Sequence, residues 1–283
     1  MRILLVLALL LFNLEAKSLF SNDEQKDSSI YIANLKELII STQKIRGLTN
    51  SYMNGNTASL LLIYNNRSDI KKAIGKMEST KIASDPVINN RATSISKALV
   101  KLNNRAFKQD AKKTFTEYTE QIQEILMLAQ TVSQRSSKDL NPFGKEASTY
   151  MMETMLPLTE YAGQLRGYGS GLAARGKVEQ SDVEKIYLLV NEVTNLNNTL
   201  QDQMNALIAK HSDKLPATIT AEVANIDKEV KAYTFLASKK LLKDPKNVDS
   251  DTYFEQGTEL IDTIIKAYNS CNRAILKDSE GWL

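Results

Sequence analysis

From about residue 29 to residue 277 the apolar residues return at spacings of three and four, and no stretch alternates apolar with polar. That period is helical, and a strand with one solvated face would need a period of two. The chain is therefore expected to be all-α. Eight helices are predicted, at about 29–54, 57–83, 86–105, 109–137, 145–175, 181–211, 217–242 and 251–277. Their ends have physical causes. Asn54-Gly55-Asn56 can stop the first helix. Pro86 after Asp85 and Pro216 after Leu215 suit a first helical turn. Ser181 followed by Glu184 has the spacing of a capping box. Pro157 should kink its helix or mark an irregular turn. The segment Lys138 to Gly144, with Asn141-Pro142, links two sets of four. The expected domain consists of a first four-helix unit at 29–138 and a second at 145–277, with short connections between antiparallel neighbours.

Two echoes suggest that the second unit duplicates the first. Gln43-Lys44-Ile45-Arg46-Gly47 is matched by Gly163-Gln164-Leu165-Arg166-Gly167, 120 residues on. Phe115-Thr116-Glu117-Tyr118-Thr119-Glu120-Gln121-Ile122 is matched by Phe254-Glu255-Gln256-Gly257-Thr258-Glu259-Leu260-Ile261, 139 residues on. The two echoes fall in the same order in each half, which chance similarity between amphipathic helices does not require.

The first sixteen residues read as a cleavable secretory leader. Arg2 supplies the positive start, Ile3 to Phe12 is an apolar run, and Ala16 is a small residue at a plausible cleavage point. That run is too short for a membrane span, and no later stretch reaches the ~20 apolar residues needed. A periplasmic or secreted protein is expected. The net charge of +3 is too weak to argue for a nucleic-acid or membrane-surface partner, and none is expected. Cys271 and His211 are each alone in the sequence, so no transition-metal site, cofactor or His- or Cys-based catalysis is expected.

The arginines are the unusual residues. Arg46 shares a helical face with Leu35, Ile39, Thr42 and Met53, the face that should be buried. Arg166 lies on a stripe of Met155, Thr159, Ala162, Ser170 and Ala173. Arg67 sits likewise with Leu60, Ile63, Ile70 and Ile74. Any single arginine can snorkel to the surface or pair with a buried carboxylate. A matched pair, each followed by a glycine, points instead to a shared site for a small planar oxyanion, because guanidinium groups bind such ions through paired N–H donors. Gly163, Gly167 and Gly171 clear one side of the fifth predicted helix for close packing.

These motifs resemble the nitrate- and nitrite-sensing family of bacterial helical sensor domains. Gln43 to Thr49 resembles its Gln-Arg-Glu-Arg-Gly-x-Ser helix, with Lys44 and Ile45 as departures. Asn66-Arg67-Ser68-Asp69, Leu156-Pro157-Leu158-Thr159, Leu165 to Ser170 and Tyr253 to Asp262 resemble further elements of the family. The resemblance spans roughly residues 30 to 275. It implies two four-helix units with nitrate or nitrite held between them by Arg46 and Arg166. Gly47, Gly167, Arg67 and Ser170 complete the candidate site. On this reading the chain is a non-enzymatic sensor whose response passes to a separate membrane receptor or sensor kinase, with a homodimer as one arrangement. The rival reading is a helical interaction module whose arginines are structural.

Overall fold

The computed structural model describes residues 25–279 with their side chains, and the leader expected at residues 1–16 lies outside them. Among the described residues the fold is all-α, and no strand occurs. Nine α-helices occur among the described residues, some of them joined by short 3₁₀ or π segments: α1 (Arg2–Met53), α2 (Ser59–Glu78), α3 (Pro86–Arg105), α4 (Ala111–Ser136), α5 (Pro142–Tyr150), α6 (Leu156–Arg175), α7 (Gln180–His211), α8 (Ile219–Phe235) and α9 (Ser250–Glu280). A π segment, Met151–Met155, joins α5 to α6 without a break, so the rods number eight, as the periodicity predicted.

Local chemistry explains most of the ends. Asp85 caps α3 by accepting hydrogen bonds from the Val87 and Ile88 amides, with Pro86 in the first turn. Asp110 caps α4 and Asn141 caps α5 in the same way. Gly55 (φ 118°) and Gly176 (φ 64°) adopt left-handed conformations where α1 and α6 stop. The capping box of α7 lies two residues earlier than expected, on Glu179 and Asp182 rather than Ser181 and Glu184. Asp182 wins because it is buried and also accepts from Tyr168 and Arg175, contacts that fix its position from another helix. The irregularity expected at Pro157 takes the form of the π segment just before it, which shifts the backbone register around a residue lacking an N–H. A second π segment, Leu236–Leu241 after α8, had no sequence signal.

α1 packs on α2, α4 and α6, and α3 packs on α4. α6 packs on α7 and α9, and α8 bridges α7 and α9. One contiguous apolar core runs through all of them, from Leu35 and Ile39 on α1 to Ile264 and Ala267 on α9. α1 and α6 are therefore the central pair, and their contact face carries the candidate site.

Candidate functional site

α1 and α6 run side by side in the same direction, in register at the 120-residue offset. A methyl on Gly47 would lie 3.1 Å from the Gly167 Cα, and one on Gly163 would lie 3.2 Å from the Gln43 amide. Farther along, the Asn50 amide donates to the Gly167 carbonyl at 2.9 Å. Gly47 and Gly167 permit this approach because a Cβ on either would crowd the other's backbone, while one on Gly163 would crowd the Gln43 and Arg46 side chains.

The two sequence echoes meet on either side of this crossing. Arg46 Nη1 donates to Thr119 Oγ1 at 2.9 Å, and its guanidinium lies over the Phe115 ring at 4.9 Å. Arg166 Nη1 donates to Thr258 Oγ1, also at 2.9 Å, and its guanidinium lies over the Phe254 ring at 4.5 Å. Phe and Thr are one helical turn apart on α4 and again on α9, so each pair presents a ring and a hydroxyl to one arginine. Each glycine also faces the opposite half: Gly47 abuts Phe254, and Gly167 abuts Phe115. The geometry repeats about a local two-fold axis running between α1 and α6.

Burial makes these arginines costly. Arg46 is 0% and Arg166 1% exposed. Arg46 is compensated by the Glu160 carboxylate, which takes Nη1 at 2.5 Å and Nη2 at 3.2 Å. Gln164 donates to the same carboxylate at 3.0 Å. Arg166 has no equivalent. Its Nε and Nη2 find no hydrogen-bond partner among the described residues, and neither does either amide atom of fully buried Gln43. Burial pulls the Arg166 pKa down to about 10; the Arg46 charge adds to the depression, while Tyr233, Asp262 and Glu160 oppose it. The group stays cationic at neutral pH. Two guanidinium groups against one contacting carboxylate leave the crossing with a positive charge to satisfy.

A cleft of about 450 Å³ adjoins the Arg46 side. Thr119 and Gln164, which bond Arg46 and Glu160, line it together with Lys112, Glu184 and Lys185. Burial and the Arg46 charge both lower the pKa of Lys185.

The structure brings Arg46, Arg166, Gly47 and Gly167 together. Ser170 lies one turn beyond Arg166 and donates to the Gly167 carbonyl rather than to an arginine. Arg67 lies elsewhere: it donates to the Asn103 carbonyl at 2.9 Å and packs against Tyr64 and Phe107. Its apolar neighbours in sequence signalled burial, but its partners lie in the α2–α3 layer. Sequence reasoning missed Glu160, and it left Gln43, Thr119 and Thr258 as parts of motifs without roles. The spacing of Phe and Thr by one turn in both echoes was the usable signal.

Residues 37–276 match the family model for nitrate and nitrite sensing, NIT. The chain belongs to the NIT family. The family is described by what it senses, not by a reaction. This NIT chain also resembles a solved structure, that of the NasR transcription antiterminator, at 13% identity and a TM-score of 0.71, over 97% of this chain and 75% of that one. At that identity the likeness shows a common fold. No curated protein matches the chain. The expectation that nucleic acid can be excluded is overturned, because a protein of the same fold is a transcription antiterminator. Net charge could not carry that exclusion: it sums over the whole chain and says nothing about where charge is concentrated. Among the described residues no helix is long and apolar enough to cross a membrane, and no cluster of metal-ligating side chains occurs.

Proposed function

We propose that this NIT chain is a ligand-binding sensor for a small planar oxyanion, nitrate or nitrite, held at the Arg46–Arg166 crossing of α1 and α6. The observation that carries this reading is the buried Arg166 guanidinium, whose Nε and Nη2 lack a hydrogen-bond partner among the described residues. A buried cation left in that state is strongly unfavourable unless an anion completes it. Nitrate and nitrite are small enough to enter a close helix crossing, and their oxygens suit the planar guanidinium fork.

The helices of residues 29–138 act as one four-helix unit and those of 145–277 as a second, duplicated one. The matching Arg–Thr–Phe geometry on the two sides supports that division. An anion at the crossing favours one arrangement of α1 against α6, and a membrane partner reads the resulting shift in population. The leader-like pattern of residues 1–16 supports an exported form. Isothermal calorimetry with sodium nitrate, sodium nitrite and sodium chloride at matched ionic strength tests the reading. Binding of nitrate or nitrite well above chloride supports it; no heat from either at millimolar concentration overturns it in favour of an interaction module.

A further inference from the structure

The local two-fold relating α1 to α6 is broken at one chemically decisive position. Glu160 lies six residues before Arg166 on α6 and reaches across to Arg46 on α1. The residue six before Arg46 on α1 is Ile40. The register that pairs Gly47 with Gly167 and Gln43 with Gly163 makes Ile40 the counterpart of Glu160. One half thus has a carboxylate where the other has an alkyl chain. The hydrogen bonds follow this difference. Both arginines give Nη1 to a threonine, and both leave Nε unpaired among the described residues. They differ at Nη2, which Glu160 satisfies on Arg46 and no described residue satisfies on Arg166.

A carboxylate gripping a guanidinium through two oxygens is also a stereochemical stand-in for nitrate or nitrite: planar, singly charged, with two oxygens set to meet two N–H groups. We propose, resting on the oxyanion reading above, that Glu160 is the protein's own occupant of one of two equivalent anion positions. The chain therefore binds a single anion, on Arg166, and Ile40 is the residue that keeps that position open. The Glu160–Arg46 contact shows how the bound ion sits: two oxygens across Nη1 and Nη2, with the Thr258 hydroxyl beside Nη1 and the Phe254 ring beneath. Glu160 also makes the protein asymmetric. Without it, two near-identical sites would compete for the same ion and an anion would load either half.

The experiment exchanges the two positions in the full chain and counts bound ions by calorimetry with sodium nitrate. Wild type is expected to bind one nitrate. Ile40→Glu places a carboxylate on Arg166 and should abolish binding, while Ile40→Gln, of the same size but uncharged, should retain one nitrate with less than a tenfold change in affinity. Glu160→Ala should take up a second equivalent, and sodium formate should raise its melting temperature more than that of wild type. If Glu160→Ala does not fold, the Ile40→Glu and Ile40→Gln pair decides the matter alone. One nitrate still bound by Ile40→Glu, binding lost equally in Ile40→Gln, or a folded Glu160→Ala that binds fewer than two ions would overturn the inference while leaving wild-type nitrate binding intact. A wild-type chain that binds neither nitrate nor nitrite would remove the oxyanion reading itself, and this inference with it.

Discussion

Gly47 and Gly167 face each other so closely that a methyl added to Gly167 would lie 2.8 Å from the Gly47 Cα. The obstacle is backbone, which cannot rotate away as a side chain can. Gly167→Ala should therefore destabilise the protein by about 1–3 kcal/mol, the usual range for an overpacked core. Gly75, on the exposed side of α2, has nothing within 4 Å of its missing Cβ. Gly75→Ala should stabilise by roughly 0.5–1 kcal/mol through helix propensity alone. Urea denaturation of the two variants should thus show shifts of opposite sign.

Glu160 and Arg46 form a buried ion pair, and removing one partner leaves the other uncompensated. Glu160→Ala should lose about 3–5 kcal/mol in chemical denaturation. The comparison that matters is Arg166. Among the described residues no carboxylate contacts it, so Arg166→Met removes a buried charge without orphaning another. That variant should be as stable as wild type or more so, by up to about 1–4 kcal/mol, while losing all response to nitrate. Arg166→Met proving less stable than Arg46→Met would mean that Arg166 is structural.

Anion binding needs a charged Arg166. Burial lowers its pKa from the ordinary arginine value to about 10, so the folded protein releases this proton before the unfolded chain does. Between those values the unfolded state binds more protons, and the cost of burying the charge is relieved as pH rises from about 10. Nitrate affinity should follow the opposite sign: flat from about pH 6 to 9, and falling as the pH passes about 10. A bell or a step near pH 6 to 7 would implicate a different group.

Nitrate has four heavy atoms, and very small ligands reach at most about 1.5 kcal/mol per atom. That ceiling sets a dissociation constant on the order of tens of micromolar. At ten times that concentration the folded state gains about 1.4 kcal/mol, which in a protein this long raises the melting temperature by only about 3–5 °C. Differential scanning fluorimetry with nitrate against chloride checks this; a shift above about 10 °C would require more contacts than one guanidinium site supplies.

Much of this was readable in the residues. The period of three and four determined an all-helical chain, and Gly55 and Pro86 marked real helix ends. The doubled Arg-Gly motif named the two buried arginines, and the doubled Phe and Thr contained their ring and hydroxyl partners without revealing that role. Other readings differ from the structure. Pro216 lies outside the first turn of α8, which starts at Ile219. Arg67 shares the apolar spacing of Arg46 but belongs to the α2–α3 layer. The α7 cap moved to Glu179 because Asp182 is held by Tyr168 and Arg175, which lie on another helix. Net charge did not exclude a tie to nucleic acid.

Periodicity and repetition are local properties of a chain, so helix positions and the identity of the two arginines could be decided from the order of residues alone. Which arginine would be neutralised could not. Glu160 is an ordinary acidic residue in the sequence, 114 positions from Arg46, and it has no echo because Ile40 stands at the matching place. Only the close, parallel approach of α1 and α6 through Gly47 and Gly167 gives Glu160 to Arg46 and leaves Arg166 without a carboxylate. That approach is a long-range packing outcome, in which backbone contact between two helices decides the electrostatic partners of the side chains beside it.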